Sequence, residues 1–263
     1  MLDIEVQGVT VPALGFGTWQ LSGKAAREAT RHALDIGHRQ IDTAQAYGNE
    51  SEVGKAIVES GVPREDIFLT TKIVRDSLAG DRVGPAVDES LAKLRTDYVD
   101  LLLIHWPSED VPLQETLAAM LKAKDAGKVR HLGVSNFRGP LLLEAMQHAP
   151  ILADQVPYQP GRTQNTLLQI AQERDVMITA YSPLRGDGLK SPVLAEVASA
   201  HDKTVHQVAL RWLLQQPKVS PIPRSSKADH RASNFDVFDF SLSDDEMARI
   251  SAVRVEAPRR RRR

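Results

Sequence analysis

Short apolar, β-branched runs alternate along the chain with longer amphipathic segments. The short runs are typical of buried parallel strands, and they cover 14–17, 39–42, 68–72, 99–105, 131–135, 154–156, 177–181 and 219–222. Helical spacing of apolar residues predicts helices over 24–36, 50–60, 83–94, 113–127, 139–148, 165–174, 204–215 and 226–234. Because strand-then-helix units repeat eight times without a break in composition, the pattern predicts an α/β fold, a (β/α)8 TIM barrel.

Two segments lie outside the repeating units. Residues 4–12 alternate around Gly8 and predict a small β-hairpin that caps one end of the barrel. Ser243, followed by three acidic residues, predicts the N-cap of an extra C-terminal helix that ends near residue 253. A doubly wound dinucleotide fold is disfavoured, because the first strand-to-helix turn at 15–19 lacks the third glycine of that fingerprint.

The composition favours one globular unit of 263 residues, since α/β barrels of this length fold as a single domain. We expect that domain to span 1–258. The chain has no cysteine, which excludes disulfides and thiolate metal sites. Because no long apolar stretch and no basic leader followed by one is present, we expect no membrane partner and a cytoplasmic location.

The charges nearly balance, with 33 Lys and Arg against 34 Asp and Glu, but the distribution is uneven. Five of the basic residues form the run 259–263, so the rest of the chain is acidic. An acidic body argues against a nucleic-acid partner. The Arg run could contact polyanions, although a disordered, solvated tail is the favoured interpretation. No segment argues against a monomer.

Four polar residues fall at or just beyond the carboxyl ends of predicted strands, where the catalytic groups of such barrels lie. They are Asp42, Tyr47, Lys72 and His105. Each alone has an ordinary structural explanation, such as a turn cap or a satisfied core histidine. Together they indicate chemistry, because a buried lysine is expected to lower the pKa of a neighbouring tyrosine below about 10. Such a tyrosine can protonate a carbonyl oxygen, and a histidine can orient it by a hydrogen bond.

Several longer motifs keep a fixed order along the chain. They read GHRQIDTA at 37–44, ESEVG at 50–54, TTK at 70–72, LIHWP at 103–107, RHLGVSNF at 130–137, YSPL at 181–184 and IPRS at 222–225. In these motifs the chain resembles the aldo-keto reductase family, and it looks most like the bacterial 2,5-diketo-D-gluconate reductase branch. The resemblance implies an NAD(P)H-dependent enzyme that reduces aldehydes or ketones, such as keto-sugars, dicarbonyls or keto acids.

The resemblance also implies roles for individual residues. Tyr47 would be the general acid, assisted by the other three polar residues. The nicotinamide would stack on Tyr181, while Ser135, Asn136 and Gln155 hydrogen-bond its carboxamide. The remaining cofactor-binding positions would be Asp42, Gly17, Thr18, Trp19, Ser182, Leu184, Arg224, Ser225, His230 and Asn234. The substrate pocket would be formed by Trp19, Tyr47, His105 and Trp106.

The chain departs from the family pattern at the adenosine end of the cofactor. His230 stands where the third signature normally has an arginine that grips the 2′-phosphate of NADPH. A neutral histidine is a weaker phosphate partner than a guanidinium, and Arg231 is turned about 100° away along a helix. Arg224 preserves a positive charge. We expect NADPH, with NADH or dual use as the alternative. His38 and Gln40 also depart from the first signature, with an expected effect on packing only.

Two other functions fit the same fold. The first is a non-catalytic NADP(H)-binding sensor or regulatory subunit, since fold alone does not assign function. The second is a metal-dependent enzyme built on Asp42 and His105. It is disfavoured because the chain has no His-x-His pair and because Lys72 would repel a cation. We therefore expect a small-molecule carbonyl substrate and no metal.

Overall fold

Ten strands form two sheets in the computed structural model, which describes residues 2–255. β1 (Asp3–Val6) and β2 (Val9–Pro12) form an antiparallel hairpin. The other eight strands are β3 (Gly15–Gly17), β4 (Gln40–Asp42), β5 (Phe68–Ile73), β6 (Val99–Ile104), β7 (Val129–Ser135), β8 (Ile151–Pro157), β9 (Met177–Tyr181) and β10 (Val219–Pro221). They lie side by side in chain order and pair in parallel. The predicted (β/α)8 barrel is confirmed.

Helices surround the barrel. They are α1 (Gly23–Asp35), α2 (Glu50–Ser60), α3 (Gly80–Leu94), α4 (Leu113–Asp125), α5 (Gly139–His148), α6 (Asn165–Arg174), α7 (Pro192–Ala200), α8 (Val205–Leu214), α9 (Ala228–Phe235) and α10 (Asp244–Ser251). The predicted C-terminal helix is confirmed as α10, where the Ser243 side chain accepts a hydrogen bond from the Glu246 amide. In the described part of the chain no helix has the length and apolar character needed to cross a membrane. The Arg run at 259–263 lies outside the described residues.

The prediction of one helix after each strand was wrong between β9 and β10. Two helices, α7 and α8, occupy this connection. Ser191 caps α7 by accepting a hydrogen bond from the Val193 amide, and Pro192 occupies the first turn, where its missing N–H costs nothing. Only Leu194 and Val197 are large buried residues on this helix. The apolar spacing was therefore too sparse to be recognised among the alanines.

The hairpin closes the end of the barrel where the strands begin. Val6 and Val11 pack on inward-facing residues of the barrel strands, including Leu101 and Met177. The turn is held at Gln7, whose backbone N–H donates a hydrogen bond to the Asp175 carboxylate at 2.7 Å. The predicted cap is confirmed.

The barrel closes along a seam between β3 and β10. The Gly17 amide donates to the Pro223 carbonyl at 3.0 Å, and Ser220 donates its hydroxyl proton to Gln40 Oε1 at 3.0 Å. A Cβ atom at Gly17 would lie 2.9 Å from the Ile222 carbonyl oxygen, which is too close for any side chain. Glycine at this position therefore allows the first and last strands to meet.

His38 packs between aromatic rings next to this seam. Its ring centroid lies 4.7 Å from that of Phe235 and 5.9 Å from that of Phe16. Burial lowers the pKa of His38 to about 4, so the imidazole is neutral in the folded protein near neutral pH. The unfolded chain binds a proton at this residue near pH 6.5. The effect of His38 therefore reaches beyond packing to the acid stability of the fold.

We expect His38→Phe to make the protein less sensitive to acid. Between the unfolded pKa near 6.5 and the folded pKa, protonation favours the unfolded chain, so stability falls as pH falls. At pH 4.5 this difference amounts to about 2 to 3 kcal/mol in the wild type. Urea unfolding at pH 7 and at pH 4.5 measures the free energy of unfolding, and its decrease between the two pH values should be correspondingly smaller in the variant. The exposed His206→Gln serves as control, and an equal loss in all three proteins would contradict the expectation.

Candidate active site

Strand alternation places six polar or aromatic side chains at one end of the barrel. Asp42, Ser135 and Tyr181 are the last residues of β4, β7 and β9, and His105 directly follows β6. Lys72 lies next to the end of β5, and Gln155 is paired with Ser135 across β7 and β8. Inward-facing residues alternate with outward-facing ones along each strand. These side chains therefore converge where the strands end, as predicted for the catalytic residues.

Lys72 is the centre of a buried cluster. Its Nζ donates to Asp42 Oδ1 at 2.6 Å, to the Thr43 carbonyl at 2.8 Å and to Tyr47 Oη at 3.2 Å. The Lys72 side chain is fully buried, and that of Asp42 is 3% exposed. The second Asp42 oxygen accepts from Gln155 Nε2 at 2.6 Å. All three Lys72 protons and both carboxylate oxygens thus have partners, which a buried ion pair requires.

The charges in this cluster fix the protonation states. Burial disfavours the ammonium of Lys72, but Asp42 and Tyr47 outweigh it, and the pKa of Lys72 lies above its ordinary value. Burial also raises the pKa of Tyr47, although Lys72 opposes this change. The prediction of a lowered Tyr47 pKa was therefore wrong for the cofactor-free protein, because desolvation of the phenolate exceeds the attraction of Lys72. Tyr47 keeps its proton at neutral pH.

His105 is neutral as well. Burial, together with the positive charge of Lys72, lowers the pKa of His105 to about 4. Its ring packs edge-on against that of Tyr47, with centroids 5.6 Å apart. A neutral imidazole can donate one N–H to a ligand atom near the Tyr47 hydroxyl.

Gln45 holds the short helical turn 45–47 that carries Tyr47. Its Oε1 accepts from the Val74 amide at 3.0 Å, and its Nε2 donates to the Ala86 carbonyl and to Ser90 Oγ, both at 2.9 Å. The turn is thereby attached both to the loop after β5 and to α3. Sequence reasoning missed this residue, because the partners are distant along the chain.

Asn49 joins the loops that follow β3 and β4. Its Nδ2 donates to the carbonyls of Thr18 and Leu21, both at 2.9 Å, and its Oδ1 accepts from Thr43 Oγ1 at 2.8 Å. Asn49 was also missed as a functional residue, and its side chain fixes the loop that carries Trp19. The only signal in the sequence is an amide side chain two residues after Tyr47.

A cleft of about 1000 Å³ opens above this cluster. Tyr47, His105 and Gln155 lie on its wall near the buried lysine, and the exposed rings of Trp19 and Trp106 border it. The cleft thus combines an apolar wall with a few convergent polar groups, which is typical of a small-molecule site.

The four residues predicted to hold the nicotinamide form one hydrogen-bonded chain along the cleft. Tyr181 donates its phenol proton to Asn136 Oδ1 at 2.9 Å, and Asn136 Nδ2 donates to Ser135 Oγ at 3.0 Å. Ser135 in turn donates to the Gln155 carbonyl at 2.9 Å. Asn136 adopts a left-handed backbone conformation with φ 64°, which turns its amide group along the cleft wall. The structure therefore brings these four residues together.

The other predicted cofactor positions divide into two groups. Gly17, Trp19, Ser182, Leu184 and Arg224 line the cleft. Thr18 does not: it is fully buried behind the wall, and its hydroxyl donates to the Asp42 carbonyl at 2.9 Å. Thr18 therefore supports the wall of the cleft instead of facing it.

Of the four positions predicted for the adenosine end, Arg224 lines the cleft, whereas the other three lie on or before α9 and outside the cleft lining. His230 is exposed in the first turn of α9, Asn234 is buried near its end, and Ser225 bonds to Lys227. Arg231 is buried and donates to the Ser225 carbonyl at 3.1 Å. Arg231 thus points into the protein, as its helical offset from His230 predicts.

In the part of the chain that the structure describes, no group of three or more His, Asp or Glu side chains could hold a metal ion. The acid at the centre of the site, Asp42, is occupied by Lys72 and Gln155.

The sequence matches the model of the aldo/keto reductase family over residues 13–255. This chain belongs to the aldo/keto reductase family. The family resemblance inferred from the motifs is confirmed. An aldo/keto reductase is an NAD(P)H-dependent oxidoreductase of carbonyl compounds, so the protein is an enzyme, and nothing in the comparisons supports the non-catalytic alternative.

Related proteins cover nearly the whole reductase. It is 39% identical to methylglyoxal reductase DkgB of Escherichia coli O157:H7 over 251 residues, which cover 93% of this chain and 94% of the relative. A crystal structure described as a 2,5-diketo-D-gluconic acid reductase B superposes with a TM-score of 0.94 at 44% identity, covering 97% of this chain and 92% of the other. The aldo-keto reductase of Bombyx mori in complex with NADP gives a TM-score of 0.87 at 34% identity, covering 95% and 92%.

Proposed function

We propose that this reductase converts small dicarbonyl compounds to hydroxycarbonyl compounds, with Tyr47 as the proton donor. The observation that carries the proposal is the 3.2 Å contact between Lys72 Nζ and Tyr47 Oη at the wall of the cleft. Dicarbonyl substrates are supported by the names of two relatives, a methylglyoxal reductase and a 2,5-diketo-D-gluconic acid reductase.

The cleft fits a nicotinamide cofactor. Tyr181 offers a half-buried aromatic face for stacking, and Gln155 lines the cleft with its amide. Gly17 keeps the seam free of a side chain, and arginines border the cleft where a diphosphate would need positive charge. We propose Tyr181, Ser135, Asn136 and Gln155 as the residues that hold the nicotinamide. When bound, the reduced cofactor supplies the hydride.

Tyr47 then performs the proton chemistry. Its raised pKa keeps the phenol protonated, so it can release its proton to a carbonyl oxygen that gains negative charge. Lys72 stabilises the phenolate that remains, and Asp42 keeps Lys72 charged and in place. His105, neutral above about pH 4, can donate a hydrogen bond to the same oxygen and so orient the carbonyl carbon. Across the neutral range Tyr47 and His105 are therefore neutral and Lys72 is charged.

We propose that NADPH is preferred but that NADH is also accepted. Arg224 lines the cleft and supplies a positive charge beside α9. His230 is exposed on that helix, and Arg231 is held inside the protein by its bond to Ser225. The 2′-phosphate of NADPH would therefore be bound by few guanidinium groups, which weakens the preference for NADPH over NADH.

The experiment is the steady-state oxidation of NADPH and NADH with methylglyoxal and with acetone. We expect turnover of methylglyoxal with both cofactors and a kcat/KM about tenfold higher with NADPH, because one phosphate contact of moderate strength separates them. Acetone, which has a single carbonyl, should react more slowly. Tight NADPH binding without turnover of any carbonyl compound would contradict a catalytic role and favour a sensor.

A further inference from the structure

Three arginines border the cleft: Arg162, Arg185 and Arg224. Among residues 2–255 none of them has a carboxylate within ion-pair distance. Among the described residues, the one carboxylate on the cleft wall is that of Asp42, and it is already paired with Lys72. In that part of the chain no acidic side chain of the cleft balances the charge of the three arginines.

Two of these arginines, which follow β9 and β10, contact the loop after β3. Arg224 donates to the Trp19 carbonyl at 2.9 Å and to Gln20 Oε1 at 2.6 Å. The Arg185 guanidinium lies 5.9 Å from the centre of the Trp19 ring. Both guanidinium groups therefore lie beside the loop that carries Trp19.

Arg162 belongs to a different loop, which packs against the loop after β9. It lies in the loop after β8, in a tight turn where its amide donates to the Gln159 carbonyl at 3.0 Å and Gly161 has φ 85°. Its side chain is exposed and has no hydrogen-bond partner among the described residues. Burial raises the pKa of the Tyr181 phenol, and the positive charge of Arg162 opposes this change. Because Arg162 and Tyr181 also line the same cleft, the guanidinium charge reaches the ring that we propose holds the nicotinamide.

Tyr181 and Tyr47 line the same cleft as Arg162. The Tyr181 hydroxyl donates to Asn136 at the end of β7, so the phenol end of the ring points away from the β3–β10 seam. A substrate whose carbonyl reaches Tyr47 can therefore extend towards the Arg162 guanidinium.

We propose that Arg162 determines substrate specificity by binding a carboxylate on the carbonyl compound, so that keto or aldehydo acids are preferred over neutral analogues. This inference rests on the proposed function, because it assigns a substrate class to the same site. A planar guanidinium donates two parallel hydrogen bonds to a carboxylate. No internal acid competes for these donors in the described part of the cleft.

The test is Arg162→Ala with a matched pair of substrates, succinic semialdehyde and butanal, which share a four-carbon aldehyde and differ in the carboxylate. We expect kcat/KM for the semialdehyde to fall about 10- to 100-fold, mainly through KM, as for the loss of a charged hydrogen bond. The value for butanal should stay within about twofold. Arg162→Lys should retain part of the kcat/KM for the semialdehyde, because lysine keeps the positive charge but cannot donate two parallel hydrogen bonds.

Arg75→Ala is the control, because Arg75 is exposed in the loop after β5, at the same end of the barrel but outside the cleft. This variant should leave kcat/KM unchanged for both aldehydes. The Kd for NADPH, measured by fluorescence titration, should be unchanged in Arg162→Ala. Weaker NADPH binding would place Arg162 on the cofactor and overturn the proposal, as would equal losses for both aldehydes. Absence of methylglyoxal turnover in the wild type would instead contradict the proposed function itself.

Discussion

Tyr47→Phe is expected to lower kcat for carbonyl reduction by about 10²- to 10⁴-fold, the usual contribution of a positioned general acid. The hydroxyl is the atom that meets Lys72 at 3.2 Å, while the rest of the ring packs on His105. Phenylalanine keeps that packing and removes only the proton donor. Single-turnover kinetics with methylglyoxal should therefore show slow chemistry in a folded protein.

NADPH binding should be unaffected by this change, which separates a catalytic role from a sensor. The control is Tyr158→Phe, which removes the hydroxyl that hydrogen-bonds Gln216 outside the cleft and should leave kcat close to that of the wild type. Because the pKa of Tyr47 lies above its ordinary value near 10, the wild-type rate of reduction should not fall across the neutral range. Near-normal turnover by Tyr47→Phe would eliminate the phenol as the acid.

Lys72→Met is expected to damage both activity and stability. Asp42 would stay buried with Gln155 as its remaining hydrogen-bond donor, and losing one partner of a buried ion pair costs about 3 to 5 kcal/mol. The phenolate of Tyr47 would also lose its stabilising charge, so kcat should fall at least about 10²-fold. Urea unfolding and steady-state kinetics measure the two effects on the same preparation.

The double variant Asp42→Asn with Lys72→Met distinguishes these two effects. Removing both charges should restore most of the lost stability, because neither group is left charged without a partner. Activity should remain low, since the ammonium beside Tyr47 is still absent. If the double variant recovered activity together with stability, Lys72 would have only a structural role.

The positions of the site residues were predictable where they depend on strand ends. Asp42, Lys72 and His105 each lie at or next to the end of a parallel strand, and barrel geometry brings such ends together. Gln45 and Asn49 could not be found in this way. Their partners, such as Val74 and Leu21, belong to other loops, and loop conformations do not follow from periodicity.

The extent to which each side chain is buried could not be predicted from the sequence either. The attraction between Lys72 and Tyr47 followed from their residue types, but the direction of the Tyr47 pKa depends on how completely the phenol is desolvated. The helix α7 was missed for a related reason. Its small residues pack closely on their neighbours, although the one-dimensional pattern shows few large apolar positions.

The position of the β1–β2 hairpin also determines where a tag or a solid support can be joined to the enzyme without blocking the cleft. The hairpin seals the end of the barrel where the strands begin, and Gln7 fastens it to Asp175. The cleft opens at the other end. A tag, a fused domain or a solid support joined ahead of Leu2 therefore starts on the far side of the molecule from the cleft. Immobilisation through this end leaves the path of incoming substrate clear.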